Sequence, residues 1–140
     1  MTDVLDLRAV AVGTELPPLS PGTITRATLA VFGPASGDLH PIHVDLDVAR
    51  SAGMDDVFAH GMLSMAYLGR MLTNWVPQER IRAMSTRFLA ITPLYAEPTC
   101  TGVVTEINSD GPDRVAELEI TVTLADGTVT LAGKATIALR

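Results

Sequence analysis

The clearest pattern in this chain lies in its last third, where Val115, Glu117, Glu119, Thr121 and Thr123 alternate with Ala116, Leu118, Ile120, Val122 and Leu124. A period of two sends one set to each face of a strand, apolar inward and polar outward. Runs at Ala83 to Ile91, Thr99 to Ile107 and Thr128 to Leu139 predict further strands beside Arg114 to Leu124, separated by Pro93, Pro98, Ser109-Asp110-Gly111-Pro112 and Asp126-Gly127. Asp-Gly between two alternating runs is a hairpin signal. Ahead of the strands the period changes. Met62, Leu63, Met65, Ala66, Leu68, Met71, Leu72 and Trp75 are apolar, while Arg70, Thr73 and Asn74 share an arc of about 100° at ~3.6 residues per turn. Gly61 to Trp75 therefore predicts a helix enclosed over most of its surface, with the Met62, Met65 and Met71 stripe as core or tunnel wall. The expected architecture is α+β, a long antiparallel meander curled around one buried helix.

The first sixty residues are less regular. Pro17, Pro18 and Pro21 between Gly13 and Gly22 remove donors and fix φ, so this stretch predicts an irregular strap over the domain. Thr25 is placed to cap a short helix, Arg26 to Phe32, in which Ala27, Ala30 and Val31 recur at helical spacing and which Gly33-Pro34 ends. Asp45 is placed to cap a second, with Asp47 in its first turn and Arg50 in its last, where the helix dipole favours each charge.

Between these helices lies Ser36-Gly37-Asp38-Leu39-His40-Pro41-Ile42-His43, with a carboxylate and an imidazole five residues apart, in a stretch that one glycine loosens and one proline stiffens. Such a segment can aim two proton-transfer groups at one point. Read singly, Asp38 could cap a turn and His43 could bond a carbonyl. Asp38, His40, His43 and His60 also carry donor atoms that zinc accepts, although Pro41 keeps the His40-x-x-His43 pair off a helix.

Length and charge narrow the field. The 140 residues fit one domain, 1–140, able to bury about two-thirds of the surface of the unfolded chain. Ten basic against 16 acidic residues, a net charge of -6, argue against a nucleic-acid partner, which requires a basic face. The one cysteine, Cys100, cannot form an internal disulfide and reads as a small buried residue of a reducing compartment. Met1 to Asp6 is acidic where a signal peptide carries positive charge, and no apolar run reaches the ~18 residues of a spanning helix. The expectation is a cytoplasmic protein with no membrane partner.

Taken together, Phe32, Ser36, Gly37, Asp38, Pro41, Ile42, His43 and Asp45 fit a longer pattern: an aromatic residue, then Ser/Gly-Gly-Asp-x-Asn-Pro-[Leu/Ile]-His, then an aspartate that caps a helix. This resembles the MaoC-like hydratase/dehydratase family, the hydratase 2 group of hot-dog-fold proteins, which includes (R)-specific enoyl-CoA hydratases and (3R)-hydroxyacyl-ACP dehydratase subunits. His60-Gly61-Met62 at the head of the long helix and Arg87-Phe88 followed by Pro93 extend the likeness over nearly the whole chain. There are two departures: Ala96-Glu97 stands where the family has Gly-Asp, and His40 replaces its asparagine.

The resemblance implies a hot-dog fold, a curved antiparallel sheet wrapped around a central helix. It also implies a lyase that reversibly hydrates trans-2-enoyl thioesters and dehydrates (3R)-hydroxyacyl thioesters of CoA or acyl carrier protein in fatty-acid or polyketide-type metabolism. Asp38 and His43 would be catalytic, and the Gly61 N–H would bind the thioester oxygen. Ser36, Gly37, His40 and Pro41 would support the loop, with His60 shaping the approach to the helix. Neither metal nor cofactor is implied. The partner would be an identical or related hot-dog subunit, with Arg80, Arg82 and Arg87 either scattered over the surface or gathered as a basic patch for the carrier. A hot-dog thioesterase has no need of the Asp38/His43 pair, and a silent partner subunit is expected to lack one member of it. This chain carries both.

Overall fold

The alternating run forms strand β3 (Val115–Thr123), which lies inside a four-stranded antiparallel sheet between β2 (Thr99–Asn108) and β4 (Val129–Ala138), with β1 (Ile81–Phe88) on the far side of β4. The computed structural model describes residues 6–109 and 111–140; the acidic start, Met1 to Leu5, and Asp110 of the expected turn lie outside the described residues. The sheet order β1-β4-β3-β2 corrects the simple meander: β2, β3 and β4 follow one another, but β1 pairs with β4. Gly133 permits this pairing, because a Cβ there would lie 1.9 Å from the Ser85 carbonyl oxygen on β1. The β3–β4 hairpin forms at Asp126-Gly127 as expected, with Gly127 at φ 88° and the Thr128 N–H donating to the Asp126 carboxylate.

On β3 the face carrying Ala116, Leu118, Ile120 and Val122 is fully buried. The long helix α3 (Gly61–Trp75) packs against it, seating Leu68, Met71, Leu72 and Trp75 among Cys100, Val104, Leu131 and Ile137. Each large apolar side chain buried in this way contributes roughly 1.5–3 kcal/mol. The helix is less enclosed than its composition suggests, because Met62 and Ala66 continue the exposed stripe of Arg70, Thr73 and Asn74 up to its N-terminal end. Of the methionine stripe, Met71 belongs to the core and Met65 is half-buried against it. The strap runs along the outer edge of β2, where Leu16 donates to Gly102 and Leu19 and Cys100 exchange backbone bonds.

Strand β1 ends at Phe88 rather than Ile91, since the Leu89 N–H turns to the Thr130 carbonyl and Phe58 bridges to Pro93. Helix α1 (Arg26–Ser36) also departs from expectation by running through Gly33-Pro34. A proline so near the C-terminus forfeits one bond, and the stop comes at Gly37, whose φ of 77° closes the last turn with an N–H to the Pro34 carbonyl. Its buried residues are Leu29 and Gly33, while Ala27, Ala30 and Val31 face outward. Thr25 caps it with a reciprocal Thr28 bond. Leu29 joins Ile24, Ala49, Val57, Ala59 and Leu63 in a second, smaller apolar cluster under the loop that follows. Asp45 caps α2 (Leu46–Ser51), with Asp47 and Arg50 at the ends assigned to them.

Candidate active site

Between α1 and α2 the loop is built by short side-chain bonds that its sequence supplies in order. Ser36 Oγ donates to the Gly33 carbonyl and accepts from the Asp38 N–H. Asp38 Oδ1 accepts the His40 N–H at 3.2 Å, and His40 Nδ1 accepts the Ile42 N–H at 3.1 Å, capping a 3₁₀ turn over Pro41–His43. His40 thus fills an acceptor role, which requires its neutral ring with the proton on Nε2. Pro41 occupies the first position of that turn, where an N–H is not needed.

These bonds leave Asp38 Oδ2 free to face His43, whose Nε2 lies 3.9 Å away. His43 Nδ1 is 2.8 Å from the Phe58 carbonyl, which can only accept, so the proton sits on Nδ1 and Nε2 presents its lone pair to Asp38. The gap is too long for a direct hydrogen bond and lets one water touch both atoms. The His43 side chain is 11% exposed and that of Asp38 46%, so the pair opens to solvent through its carboxylate side.

His60 stands apart from the loop, at the N-cap of α3, yet is brought onto it. Its ring stacks on His43 with centroids 3.9 Å apart and meets Phe32 edge to face at 5.0 Å. Burial pushes its pKa down from 6.5, and the neighbouring His43 adds to this, against opposing contributions from the Asp38 carboxylate and the Asp38 backbone. The ring therefore stays neutral where a free imidazole takes up a proton. Asp38, His43 and His60 place donor atoms within 4.8 Å of one another, the spread of a metal site, with His40 outside the cluster. The two imidazoles are inclined by only 27°, however, so their in-plane lone pairs run side by side instead of meeting at one ion.

The side chain of His60 caps nothing, so the first turn of α3, including the Gly61 N–H, has no side-chain acceptor. The ring of Phe88 lies over Gly61, and a Cβ there would sit 2.9 Å from two of its ring atoms. Phe58, Ala59, Gly61, Phe88, Leu89 and Ile91 line a mostly apolar cleft of about 350 Å³ that begins where His43 touches Phe58. Of the three arginines considered as a patch, Arg80 bonds the Ala138 carbonyl and Arg82 pairs with Asp113 at 3.3 Å, so two are committed within the fold.

Three contributors escaped the sequence reading. Phe58 acts through a backbone carbonyl, which has no sequence signature. Phe88 belongs to the Arg87-Phe88 motif, whose sequence alone assigns it no role. Gly33, read only as a helix stop, is buried where a Cβ would lie 3.0 Å from the Asp38 carbonyl and 3.6 Å from His60 Nε2. Its spacing four residues ahead of the Gly37 stop was the available clue.

Comparison with known proteins identifies relatives in sequence and in fold. Over 115 residues, 82% of this chain and 79% of the relative, the sequence is 27% identical to the (R)-specific enoyl-CoA hydratase of Rhodospirillum rubrum. A 68-residue stretch, 46% of this chain, is 32% identical to fatty acid synthase subunit beta of Saccharomyces cerevisiae, of whose length it spans 3%. The helix-wrapped sheet is a hot-dog fold, and superimposes on the (R)-hydratase from A. caviae involved in PHA biosynthesis with a TM-score of 0.83 at 24% identity, covering 95% of this chain and 99% of that one. The MaoC like domain model matches residues 9–130, a span that takes in the loop, the head of α3 and most of the sheet, and the chain therefore belongs to the MaoC-like domain family.

Proposed function

We propose that the protein reversibly hydrates trans-2-enoyl thioesters to (3R)-hydroxyacyl thioesters, with Asp38 and His43 as its catalytic pair. The observation that carries this reading is the 3.9 Å approach of Asp38 Oδ2 to a His43 Nε2 whose tautomer the Phe58 carbonyl dictates. In the dehydration direction the bare Nε2 takes the α-proton, and the enolate oxygen is held by the Gly61 N–H with the positive end of α3 behind it. The β-hydroxyl then leaves as water with that same proton, passed from His43 Nε2 through the Asp38 carboxylate. The pair is thereby returned to a bare imidazole and a carboxylate, and hydration runs these steps backwards on a water held between the two groups. Both groups act from one side of the bound alkene, which favours a single enantiomer.

The test is hydration of crotonyl-CoA by the purified chain, alone and with candidate partner subunits. Asp38→Asn and His43→Gln should each lower turnover at least about 10²-fold without loss of fold, and together cost much less than the product of the singles, because both act on one water. Near-normal turnover in either single variant removes the pair from the mechanism. Chiral analysis should give the (3R) product; a (3S) product would mean that substrate lies on the other face.

The working unit is a dimer, with an identical or related hot-dog subunit. Among the described residues the outer edge of β1 has no strand partner, and the exposed Phe88, Leu89 and Ile91 follow along it. An open edge beside apolar surface favours pairing into a continuous sheet. Sedimentation at micromolar concentration tests this, and a fully active monomer would contradict it.

A further inference from the structure

We propose that His60 is a positioning residue for the Asp38–His43 pair, holding the backbone of one member and the ring of the other from beneath; this rests on the assignment of that pair. Three observations carry it. The His60 ring stacks on His43 at 3.9 Å, Phe32 pins it edge to face at 5.0 Å, and its Nε2 borders the same small pocket as the Asp38 carbonyl oxygen. That pocket is left by the missing side chain of Gly33, whose Cβ would lie 3.0 Å from the carbonyl oxygen and 3.6 Å from Nε2; the carbonyl can only accept, so a proton on Nε2 gives the ring a donor to offer it.

Packing alone does not account for an imidazole here. With the proton on Nε2, Nδ1 holds a bare lone pair, and among the described residues the buried Nδ1 has no partner, in a residue 2% exposed. A leucine or phenylalanine would fill the same space without burying an unpaired nitrogen, so what distinguishes histidine at this position is the N–H it aims at Asp38 together with a flat face for His43. The brace joins α1, through Gly33 and Phe32, to the head of α3. It fixes Asp38 and His43 relative to the Gly61 N–H, which is the next residue along the chain.

The experiment compares two substitutions in the crotonyl-CoA assay after the wild-type chain has been shown to be active; an inactive wild type would count against the catalytic assignment and not against the brace. His60→Gln keeps an N–H near the place of Nε2 and should stay within about 3-fold of wild type. His60→Phe keeps the ring face and loses the donor, and should lower kcat by about 10- to 100-fold with KM little changed, since the pair is misplaced and the cleft is not. Wild-type kcat in folded His60→Phe, or equal damage in both variants, would overturn the proposal. A measurement on the wild type covers the case of variants that fail to fold. Nitrogen-15 spectra of the neutral imidazoles, taken at pH 8, should show the His60 proton on Nε2, next to His43 with a proton on Nδ1. A His60 proton on Nδ1 would overturn the proposal.

Discussion

The two ends of α3 are built by different rules. At its C-terminal end Leu68, Met71, Leu72 and Trp75 are buried against the apolar face of the sheet. At its N-terminal end Met62 is half-exposed, the first turn has no side-chain cap, and among the described residues the buried His60 Nδ1 and Ser64 Oγ have no partners. The far end holds most of the burial that stabilises the fold, and it too buries an unpaired group, Trp75 Nε1, among the described residues. What sets the near end apart is the uncapped first turn and the His60 ring lying against His43 of the Asp38–His43 pair. Substitutions at the sheet end should therefore be felt as lost stability, and those at the site end as lost turnover on a molecule that still folds.

The largest effect should come from Gly133→Ala. Its Cβ would meet backbone on β1 at 1.9 Å from the Ser85 oxygen and 2.7 Å from Thr86 Cα, so the β1–β4 ladder must part. A loss of on the order of 4 kcal/mol is expected, read as a midpoint shift in urea. An unchanged midpoint would mean that the sheet relaxes around the methyl group.

Gly33→Ala is the counterpart at the site. Its Cβ would press on the Asp38 carbonyl at 3.0 Å, a contact that a loop can yield by a few tenths of an ångström. Alanine also favours a helix over glycine, by about 1 kcal/mol. The melting temperature should hardly move, while turnover on crotonyl-CoA falls about 10-fold because Asp38 has been displaced. A full loss of fold, or full activity, would erase the contrast between the two glycines.

Gly61 sharpens the comparison further. If glycine is required because of the Phe88 ring lying 2.9 Å from where a Cβ would be, Gly61→Ala should lower turnover several-fold in the wild-type background and less than about 2-fold when Phe88 is alanine. An undiminished cost in the Phe88→Ala background would instead mean that the thioester itself needs the space. Gly61→Val, with two more methyl groups, should depress turnover sharply in either background.

The same division governs what was legible in the sequence. The buried face of β3 and the span of α3 are periodic, and burial on one side enforces that period residue by residue. The sheet order was not legible, because pairing β1 with β4 rests on a missing side chain at Gly133, whose necessity appears only once Ser85 lies opposite. The apolar face of α1 was misread because Ala27, Ala30 and Val31 have helical spacing but less apolar area than Leu29 and Phe32, and these two decided which face turned inward. At the site, Asp38 and His43 could be singled out by type and spacing within one loop. The Phe58 carbonyl, the Gly33 pocket and the ring of Phe88 are brought in by tertiary contacts that local pattern does not encode.

The smallest effect expected is on Cys100, and it reports on both regions at once. This thiol is fully buried on β2, within the cluster around the far end of α3, and burial pushes its pKa up to about 12. Since the thiolate is the reacting species, alkylation at pH 8 should be about 10³-fold slower than for a thiol at the ordinary value, before any hindrance from burial is counted. Labelling then requires the sheet end to open, and its rate follows the stability of that region. The protein has one cysteine, so the signal has a single origin. Gly33→Ala, which acts at the site end, should leave the labelling rate within about 2-fold of wild type, whereas Gly133→Ala should raise it by an order of magnitude or more. Equal acceleration by both variants would mean that the two ends open as one unit, and the separation of stability from chemistry along α3 would not survive that result.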